Sequence, residues 1–191
     1  MRDEIKIIES ILCGDTEMYR HLVERYHERI FILVRGFVHQ REDAEDVTQE
    51  TFLQAFVSLG SFNGRSEFST WLYRIGINRA YSFLRKRNRK SISELYTEKV
   101  NAITDFLQGS KNENPQTILS GKQTEEIIYR EIDNLPENQR TALVLSRLDQ
   151  LSQKEIAEIM SLSVQAVDSL IQRAKRQLKT KLIPIIDEHK F

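Results

Sequence analysis

The sequence predicts an all-α protein built from two small helical domains on a flexible linker, with a helix-turn-helix as the C-terminal domain. Its 191 residues include only three prolines and seven glycines, and apolar residues recur with a helical period nearly throughout. The periodicity weakens between two well-patterned halves, where the run GSKNENP is typical of a linker. We therefore expect a first domain at 1–92, a linker at 93–115, a second domain at 116–184 and a short tail at 185–191.

Composition and motifs argue against several classes of function. Cys13 is the single cysteine, so the chain has neither a disulfide framework nor a thiol-rich metal site. The four histidines lack the spacing of zinc ligands. We recognise no glycine-rich phosphate loop, nucleophile elbow or catalytic carboxylate pair, so we expect no enzyme, cofactor, metal or small-molecule substrate. A charged N-terminus and the lack of a long apolar run favour a cytoplasmic location.

The first half predicts four helices. A short amphipathic helix occupies residues 5–12 and ends at Gly14. Asp15 is placed to cap a long second helix, whose apolar stripe runs to Phe37. The third helix opens with four acidic residues in the run REDAED, which compensation of the helix dipole explains only in part. A turn-rich loop at 58–65 leads to the fourth helix.

The fourth helix, at residues 66–90, combines an apolar arc with a basic end. Ser66 is a candidate N-cap, and Trp71 lies on an arc that covers most of the helix circumference. We expect the remaining polar stripe to be exposed: Thr70, Arg74, Asn78, Tyr81 and Arg85. The stripe taken alone would also fit an ordinary core helix whose polar side is simply hydrated. The run RKRNRK that follows favours a nucleic-acid surface, with cations on phosphates and aromatic and amide groups on bases.

The charges of the chain are segregated rather than uniformly basic. Lysine and arginine together number 28, which balances 28 aspartates and glutamates, so a generally basic nucleic-acid binder is disfavoured. Basic clusters occur at 85–90 and 173–181. Two such clusters on a neutral chain indicate two separate anion-binding surfaces, with acidic faces left for protein partners.

The second half predicts a helix-turn-helix. The helical pattern breaks at Pro136, and Glu137 begins a helix expected to reach Leu148. The run SQKE at 152–155 is a capping box, and a short turn leads to Ser163 as the next cap. The polar side of the last helix consists of Gln165, Ser169, Gln172 and Arg176. A plain helical hairpin is the alternative, but the capping, the turn length and this polar side favour DNA binding.

Four stretches resemble one protein family, the extracytoplasmic-function sigma factors, which are the smallest bacterial transcription initiation factors. They are REDAEDVTQETFLQAF (41–56), SFNGRSEFSTWLYRIGINRAYSFLRKRNR (61–89), LPENQRTALVL (135–145) and LSQKEIAEIMSLSVQAVDSLIQRAKRQL (151–178). The resemblance implies two helical domains on a flexible linker that both dock on core RNA polymerase. It also implies a promoter-specificity subunit that recognises the −10 and −35 elements of promoter DNA.

For the first domain, the resemblance implies three sets of site residues. The third helix would bind the clamp helices of the largest polymerase subunit through Asp43, Glu45, Asp46, Gln49 and Glu50. The loop with Ser61, Phe62 and Asn63 would receive a flipped base of the −10 element. The fourth helix would contact the −10 element through Thr70, Trp71, Arg74, Asn78, Tyr81, Arg85 and Lys86.

For the second domain, the resemblance implies a −35 reader that also rests on the flap of the second-largest subunit. Its DNA-contacting residues would be Ser163, Gln165, Ala166, Asp168, Ser169, Gln172, Arg173 and Arg176. The chain departs from the family here, because Asp168 and Leu170 stand where cations are usual and Ser163 stands where proline is common. An anti-sigma factor is a further candidate partner, and the sequence does not reveal whether a membrane-bound one holds this protein inactive.

Two other functions compete with this interpretation. A stand-alone helix-turn-helix repressor or activator would carry a sensing or dimerising N-terminal domain. The acidic helix and the basic aromatic helix of the first half favour the sigma factor, whereas promoter binding by the isolated protein at physiological salt would favour the regulator. An RNA- or nucleotide-processing enzyme is disfavoured by the lack of any catalytic constellation.

Overall fold

The computed structural model describes residues 2–107, 121–148 and 151–188, with side chains described at 3–89, 126–148 and 151–184. Within these ranges the chain forms α-helices and two short 3-10 turns and no strand, which confirms the all-α prediction. The helices are α1 (Arg2–Leu12), α2 (Tyr19–Val38), α3 (Arg41–Val57), α4 (Phe68–Leu107), α5 (Gly121–Asp133), α6 (Glu137–Leu145), α7 (Gln153–Met160) and α8 (Val164–Glu188). The 3-10 turns are Thr16–Met18 and Leu59–Ser61.

Helices α2, α3 and α4 pack on one another and form the core of the N-terminal half. Leu22, Ile30 and Phe37 of α2 are among its largest fully buried side chains. Gly76 of α4 allows α2 and α4 to approach closely, because a Cβ at this position would lie 3.3 Å from Leu33 Cδ2. The apolar stripe predicted for the second helix is therefore the one that organises this core.

Two predicted helix caps are wrong. Asp15 makes no side-chain capping bond, and the first 3-10 turn separates it from α2, which begins at Tyr19. The Ser66 hydroxyl donates to the Glu67 carbonyl at 3.3 Å instead of accepting from a helical N–H. Helix α4 accordingly begins at Phe68. In both cases the preceding segment, a 3-10 turn before α2 and a loop before α4, determines where the helix begins instead of a side-chain cap.

Two helices extend beyond their predicted ends. Helix α4 continues to Leu107, so residues 93–107 of the predicted linker are helical, while 108–115 lie outside the described residues. Helix α8 continues past Pro184 to Glu188, beyond the predicted end of the second domain. Once a packed helix is formed, each added residue gains a hydrogen bond without a new nucleation cost. A helix can therefore be extended without an apolar stripe, so the spacing of apolar residues did not predict these two extensions.

The C-terminal half contains the predicted helix-turn-helix, formed by α7 and α8. The Ser152 hydroxyl accepts from the Glu155 N–H, and the Glu155 carboxylate accepts from the Ser152 N–H at 2.8 Å, which confirms the capping box. The Ser163 hydroxyl accepts from the Ala166 N–H at 3.2 Å, as expected of a cap. Helix α6 ends at Leu145, earlier than the predicted end.

The two halves pack against each other, which the sequence did not predict. Helix α6 lies on α2, and α7 lies on α4. The contact with α6 is close at Gly36, where an added Cβ would lie 2.7 Å from Val144 Cγ1. One apolar cluster contains buried residues of both halves. The arrangement thus brings the helix-turn-helix against the helix predicted to bind the −10 element.

Candidate polymerase and nucleic-acid interface

Most of the residues predicted to bind core polymerase lie on the exposed side of α3. These exposed residues are Glu45, Asp46, Gln49 and Glu50. Asp43 is half-buried, with its carboxylate 3.5 Å from the guanidinium of Arg87 on α4. The opposite side of α3 is buried through Val47, Thr51 and Ala55. Helix α3 therefore presents an acidic and amide face to solvent, which we call the acidic face.

An apolar groove of about 740 Å³ lies beside the acidic face, between α2 and α3. Gln49 and Leu53 both line it, and the Leu53 side chain is 66% exposed. Val57, one turn further along α3, is 80% exposed. Tyr19 and Phe52 also line the groove, where the Tyr19 hydroxyl donates to the Phe52 carbonyl at 2.7 Å, and burial raises the pKa of Tyr19. The helical pattern did not predict this groove. A signal was present, because the apolar residues Leu53 and Val57 lie outside the buried side of α3 and are therefore exposed.

The predicted base-binding loop is anchored by an aromatic cluster. Ser61 closes the second 3-10 turn. The half-buried ring of Phe62 lies 5.6 Å from that of Phe68 and 5.5 Å from that of Trp71, between ring centroids. Asn63 is exposed, and its side-chain oxygen accepts from the main-chain N–H two residues further on, at 3.1 Å. The loop therefore places an amide at the surface above an aromatic wall.

The polar stripe of α4 is only partly exposed, contrary to the prediction. Thr70 and Tyr81 are 3% and 8% exposed, and Arg74 is half-buried. Asn78 and Arg85 are exposed. The prediction failed because part of the stripe faces the C-terminal half rather than solvent.

Arg74 of the stripe binds the C-terminal end of α7. Its guanidinium donates to the carbonyls of Ile159 and Glu158 at 3.0 and 2.5 Å, and to the Ser161 hydroxyl at 3.1 Å. The last carbonyls of a helix lack intrahelical partners and carry the negative end of the helix dipole. Arg74 therefore caps a helix of the other half through its charge and its hydrogen bonds.

Tyr81 of the stripe binds α6. Its hydroxyl donates to the Glu137 carbonyl at 2.7 Å. Because the single hydroxyl hydrogen is used there, the Thr141 hydroxyl donates to the Tyr81 oxygen at 2.9 Å. Burial raises the pKa of Tyr81, while the hydrogen bond with Thr141 and the charge of Arg140 lower it. Tyr81 is thus held in its neutral form at the contact between the halves.

The basic run at 85–90, in the middle of α4, remains largely available. Arg85, Lys86 and Arg89 are exposed. Arg85 lies 3.8 Å from the Glu137 carboxylate, an exposed pair that contributes little stability. Arg87 is half-buried and lies 3.5 Å from the Asp43 carboxylate and 4.0 Å from that of Asp133. The side chain of Lys90 lies outside those described.

The outer face of α8 carries the residues predicted to read the −35 element. Its exposed members are Ser163, Gln165, Asp168, Ser169, Gln172, Arg173 and Arg176, and Ala166 is half-buried. Val167 and Ile171 are buried on the opposite side. Lys175, Lys179 and Lys181 are also exposed. We call this surface the α8 face; it is polar, basic and uncovered.

Asp168 is the one acidic residue of the predicted −35 set. Among the described residues, none forms a hydrogen bond or an ion pair with its exposed side chain, and Gln172, one turn further on, does not bond to it. An uncompensated carboxylate on this face is repelled by DNA phosphates. Asp168 should therefore weaken DNA binding by this face unless a base amino group donates a hydrogen bond to its carboxylate.

Two kinds of site are absent from the part of the chain that the structure describes. No helix there is long and apolar enough to cross a membrane. In the same residues, no group of three or more histidine, cysteine, aspartate or glutamate side chains is placed to hold a metal ion.

Two family matches coincide with the two halves. The Sigma-70 region 2 family matches residues 22–90, which include the acidic face, the loop and the described stripe of α4. The Sigma-70 region 4 family matches residues 125–178, which include the helix-turn-helix. The order and content of these regions define a sigma-70-type transcription initiation factor.

Relatives along nearly the whole chain define the subfamily. The RNA polymerase sigma-H factor of Pseudomonas aeruginosa is 35% identical over 187 residues, which cover 96% of this chain and 95% of the relative. The ECF RNA polymerase sigma-E factor of Escherichia coli is 36% identical over 182 residues, or 94% of each chain. The chain belongs to the extracytoplasmic-function (ECF) sigma factors and directs transcription initiation.

Two solved structures share the fold. CnrH, in complex with the cytosolic domain of CnrY, matches with a TM-score of 0.61 and 24% identity over 92% of this chain and 94% of that chain. The sigma factor RpoE of Bartonella quintana, in complex with the anti-sigma factor NepR, matches with a TM-score of 0.57 and 20% identity over 86% of this chain and 96% of that chain.

Proposed function

We propose that the acidic face and the adjoining groove bind the clamp helices of the largest polymerase subunit. The observation that carries this proposal is the juxtaposition of Asp46 and Gln49 with Leu53, whose apolar side chain is 66% exposed. Protein interfaces combine an apolar centre with polar and charged groups at the rim, and exposed apolar patches mark such sites. Charged residues at the rim would set the orientation, and the groove would supply the buried area.

The loop and the α4 stripe act on the −10 element as single-stranded DNA. A flipped base needs a pocket with polar edges and an aromatic or apolar wall. Asn63 and Asn78 supply amides, and the cluster of Phe62 and Trp71 supplies the wall. Two exposed cations near the middle of α4, Arg85 and Lys86, would neutralise phosphates of the same strand.

The α8 face reads the −35 element, and its domain rests on the flap of the second-largest subunit. An exposed helix with amides, hydroxyls and arginines fits the major groove, where such groups can contact base edges and phosphates. Gln165, Ser169, Gln172 and Arg176 are all exposed on this side.

The partners we propose are core RNA polymerase, promoter DNA and an anti-sigma factor. The RpoE relative is bound to the anti-sigma factor NepR, and its fold is shared by this chain. We further propose that the protein acts in the cytoplasm as a non-enzymatic subunit without a cofactor or small-molecule substrate.

Run-off transcription tests this function. A genomic fragment library is transcribed by core polymerase with and without the protein. We expect a set of transcripts that requires both components. Promoter binding by the isolated protein at physiological salt, without new transcripts, would instead establish a stand-alone regulator.

One double variant tests the acidic face. Asp46→Lys combined with Gln49→Ala should weaken co-elution with core polymerase at unchanged helical content, and Glu9→Lys on α1 is the charge-matched control. Unchanged co-elution would exclude the acidic face.

A second variant tests the loop. Asn63→Ala should impair strand opening, measured by permanganate reactivity of promoter thymines, whereas Asn134→Ala, at an exposed position outside the assigned surfaces, should not. A loss confined to duplex binding would exclude the loop.

A further inference from the structure

The turn before α8 holds the start of that helix in a fixed position. Ser161 ends α7 in the left-handed region, with φ at 56°, and the Leu162 N–H donates back to the Ala157 carbonyl at 2.9 Å. The first turn of α8 is then fixed by the cap at Ser163 and by Val167, which is fully buried. Side chains on this turn therefore have a defined direction, which a site that distinguishes bases requires.

The outward side of α8 carries neutral amides, but no cation, along its first turns. Residues 164–172 contain no lysine or arginine. At about 100° per residue, Gln165, Ser169 and Gln172 fall within about 60° of one another around the helix, and all three are exposed. In the part of the chain that the structure describes, no hydrogen bond uses the amide of Gln165 or of Gln172. Both amides are therefore free to bond to a partner.

The arginines of the α8 face lie away from these amides. Arg173 is about 80° from Gln165 around the helix, and Arg176 is about 16 Å further along it. In a helix-turn-helix, the N-terminal residues of the recognition helix contact base edges. The two arginines are thus placed to bind phosphates beside and beyond the bases that face the first turns of α8.

Two apolar side chains flank the amides at the start of α8. Leu162 lies in the preceding turn and Val164 in the first turn of the helix, and each is 40% exposed. Neither belongs to the residues that the family resemblance assigns to the −35 element. The C5-methyl of thymine is the apolar group that a base pair presents in the major groove. Val164, next to Gln165, is therefore placed to contact such a methyl.

We propose that the α8 face recognises A·T base pairs in the −35 element, through Gln165 and Gln172 on adenines and Val164 on a thymine methyl. Glutamine can bond to both N6 and N7 of adenine, whereas arginine is the usual partner of guanine. The two glutamines lie about 10 Å apart along the helix, or about three base pairs. The expected element thus has two adenines about three positions apart and a thymine beside the one that Gln165 contacts. This inference rests on the proposed role of α8.

The first test is selection from a promoter library. The −35 element of a promoter from the run-off experiment is randomised, and holoenzyme formed from core polymerase and the full chain selects among the fragments. We expect enrichment of A·T pairs at two positions about three apart. Gln172→Ala should lower discrimination at one of them by about fivefold or more. Gln153→Ala, an exposed glutamine of α7 outside the α8 face, is the matched control that should leave the preference unchanged.

A gain of preference provides a second test. Gln172→Arg should change the selected base at the same position from adenine to guanine, because arginine bonds to O6 and N7 of guanine. A changed preference requires a folded protein, so this result is separate from any loss of stability. Continued selection of adenine by the Gln172→Arg holoenzyme would count against the proposal.

Base analogues test each contact atom by atom. Replacing the adenine assigned to Gln172 with 7-deazaadenine, which lacks the N7 acceptor, should weaken binding of the parent holoenzyme by about fivefold. The same analogue should have little effect on the Gln172→Ala holoenzyme. Uracil in place of the thymine should weaken the parent by about threefold through the lost methyl contact, but not Val164→Ala. Competition against a fluorescent promoter fragment measures all four combinations.

The outcomes distinguish this inference from the proposed function. Selection of G·C pairs at these positions would overturn A·T recognition while leaving the −35 role of α8 intact. So would glutamine variants that weaken every sequence equally, or analogue effects that are the same in parent and variant. Transcription without any enrichment in the −35 element would refute the −35 role itself and, with it, this inference.

Discussion

The α4 stripe and the α8 face have similar side chains but different surroundings. Both combine arginines with amides and hydroxyls, and both are flanked by basic residues. Tyr81 and Thr70 of the stripe are buried, whereas Gln165, Ser169 and Arg176 of the α8 face are exposed. The difference shows that polar residues with DNA-binding chemistry can equally serve a contact within the protein.

Geometry explains why one surface is covered and the other is free. Helix α7 ends against α4, where its last carbonyls meet Arg74. Helix α8 packs on α6 and α7 through its apolar side, represented by Val167 and Ile171. Its polar side must therefore face away from both. The polar side of α8 is left open by the same packing that covers Arg74 and Tyr81 of the stripe.

The largest effect is expected from Arg140→Ala, which removes the buried arginine of the contact. Its side chain is 6% exposed, and the guanidinium pairs with the Asp133 carboxylate at 2.6 Å. Burial lowers the pKa of Arg140, and the Asp133 carboxylate opposes that shift. Loss of one partner of such a pair should lower the free energy of unfolding by about 3 kcal/mol. Urea denaturation measures this, with exposed Arg147→Ala as the control; equal midpoints for both variants would contradict the prediction.

A smaller effect is expected from Ser152→Ala, which removes the capping box of α7. The loss should cost about 1 kcal/mol of stability at neutral pH. Hydrogen bonds from the Ser152 hydroxyl and N–H lower the pKa of Glu155. This contribution is present above the ordinary pKa and is lost as the pH falls through the lowered one. The difference between variant and parent should therefore shrink under acid, as thermal unfolding against pH would show. Ser169→Ala, on the exposed α8 face, should change neither quantity.

Tyr81→Phe should weaken the contact between the two halves without unfolding either half. The lost hydroxyl bonds contribute about 1 kcal/mol, equivalent to a roughly fivefold change in the equilibrium between packed and separated halves. Val144 is buried against Gly36 in this contact, so in a Val144→Cys protein with Cys13→Ser, alkylation of the buried thiol should quicken by this factor. Tyr19→Phe is the matched control, because it removes a hydroxyl bond of the same length within the N-terminal half. Equal acceleration in both variants would show that the effect is not specific to the contact.

Tyr81 also gives the contact between the two halves an alkaline limit. Because burial raises its pKa above the ordinary value of 10.0, neutral Tyr81 stabilises the contact at lower pH, and this contribution disappears as the pH rises through the raised pKa. The same alkylation rate, corrected for ionisation of the thiol with an unfolded control, should therefore rise at alkaline pH in the parent. The Tyr81→Phe protein should lack that rise. An equal rise in both proteins would assign it to other groups.

The smallest effect is expected from Asp168→Lys on the open α8 face. Affinity should rise for many duplex sequences alike, and its salt dependence should steepen by about one phosphate contact. Binding to duplex DNA at several salt concentrations measures both. Asp168→Asn, which removes the charge without adding one, should give an intermediate gain. Loss of discrimination at one base pair without a general gain would show that Asp168 reads a base.

Local sequence determined the helices, the helix-turn-helix and the chemistry of the candidate surfaces. The helix caps could be predicted from the sequence because they join groups only three residues apart. They are the capping box at Ser152 and Glu155 and the cap at Ser163. The acidic side of α3 and the polar side of α8 follow from helical periodicity in the same way.

Only the tertiary structure decided which of these surfaces faces solvent. Periodicity separates polar from apolar sides, but it does not say whether a polar side meets water or the carbonyls at the end of another helix. Arg74 bonds residues 84, 85 and 87 positions away, and Arg140 reaches a carbonyl 103 positions away. Such contacts arise from the packing of the two halves, which no local pattern encodes. The sequence therefore specified the polar stripe of α4 as a set of residues, and the fold alone decided that Arg74 and Tyr81 of this stripe are covered.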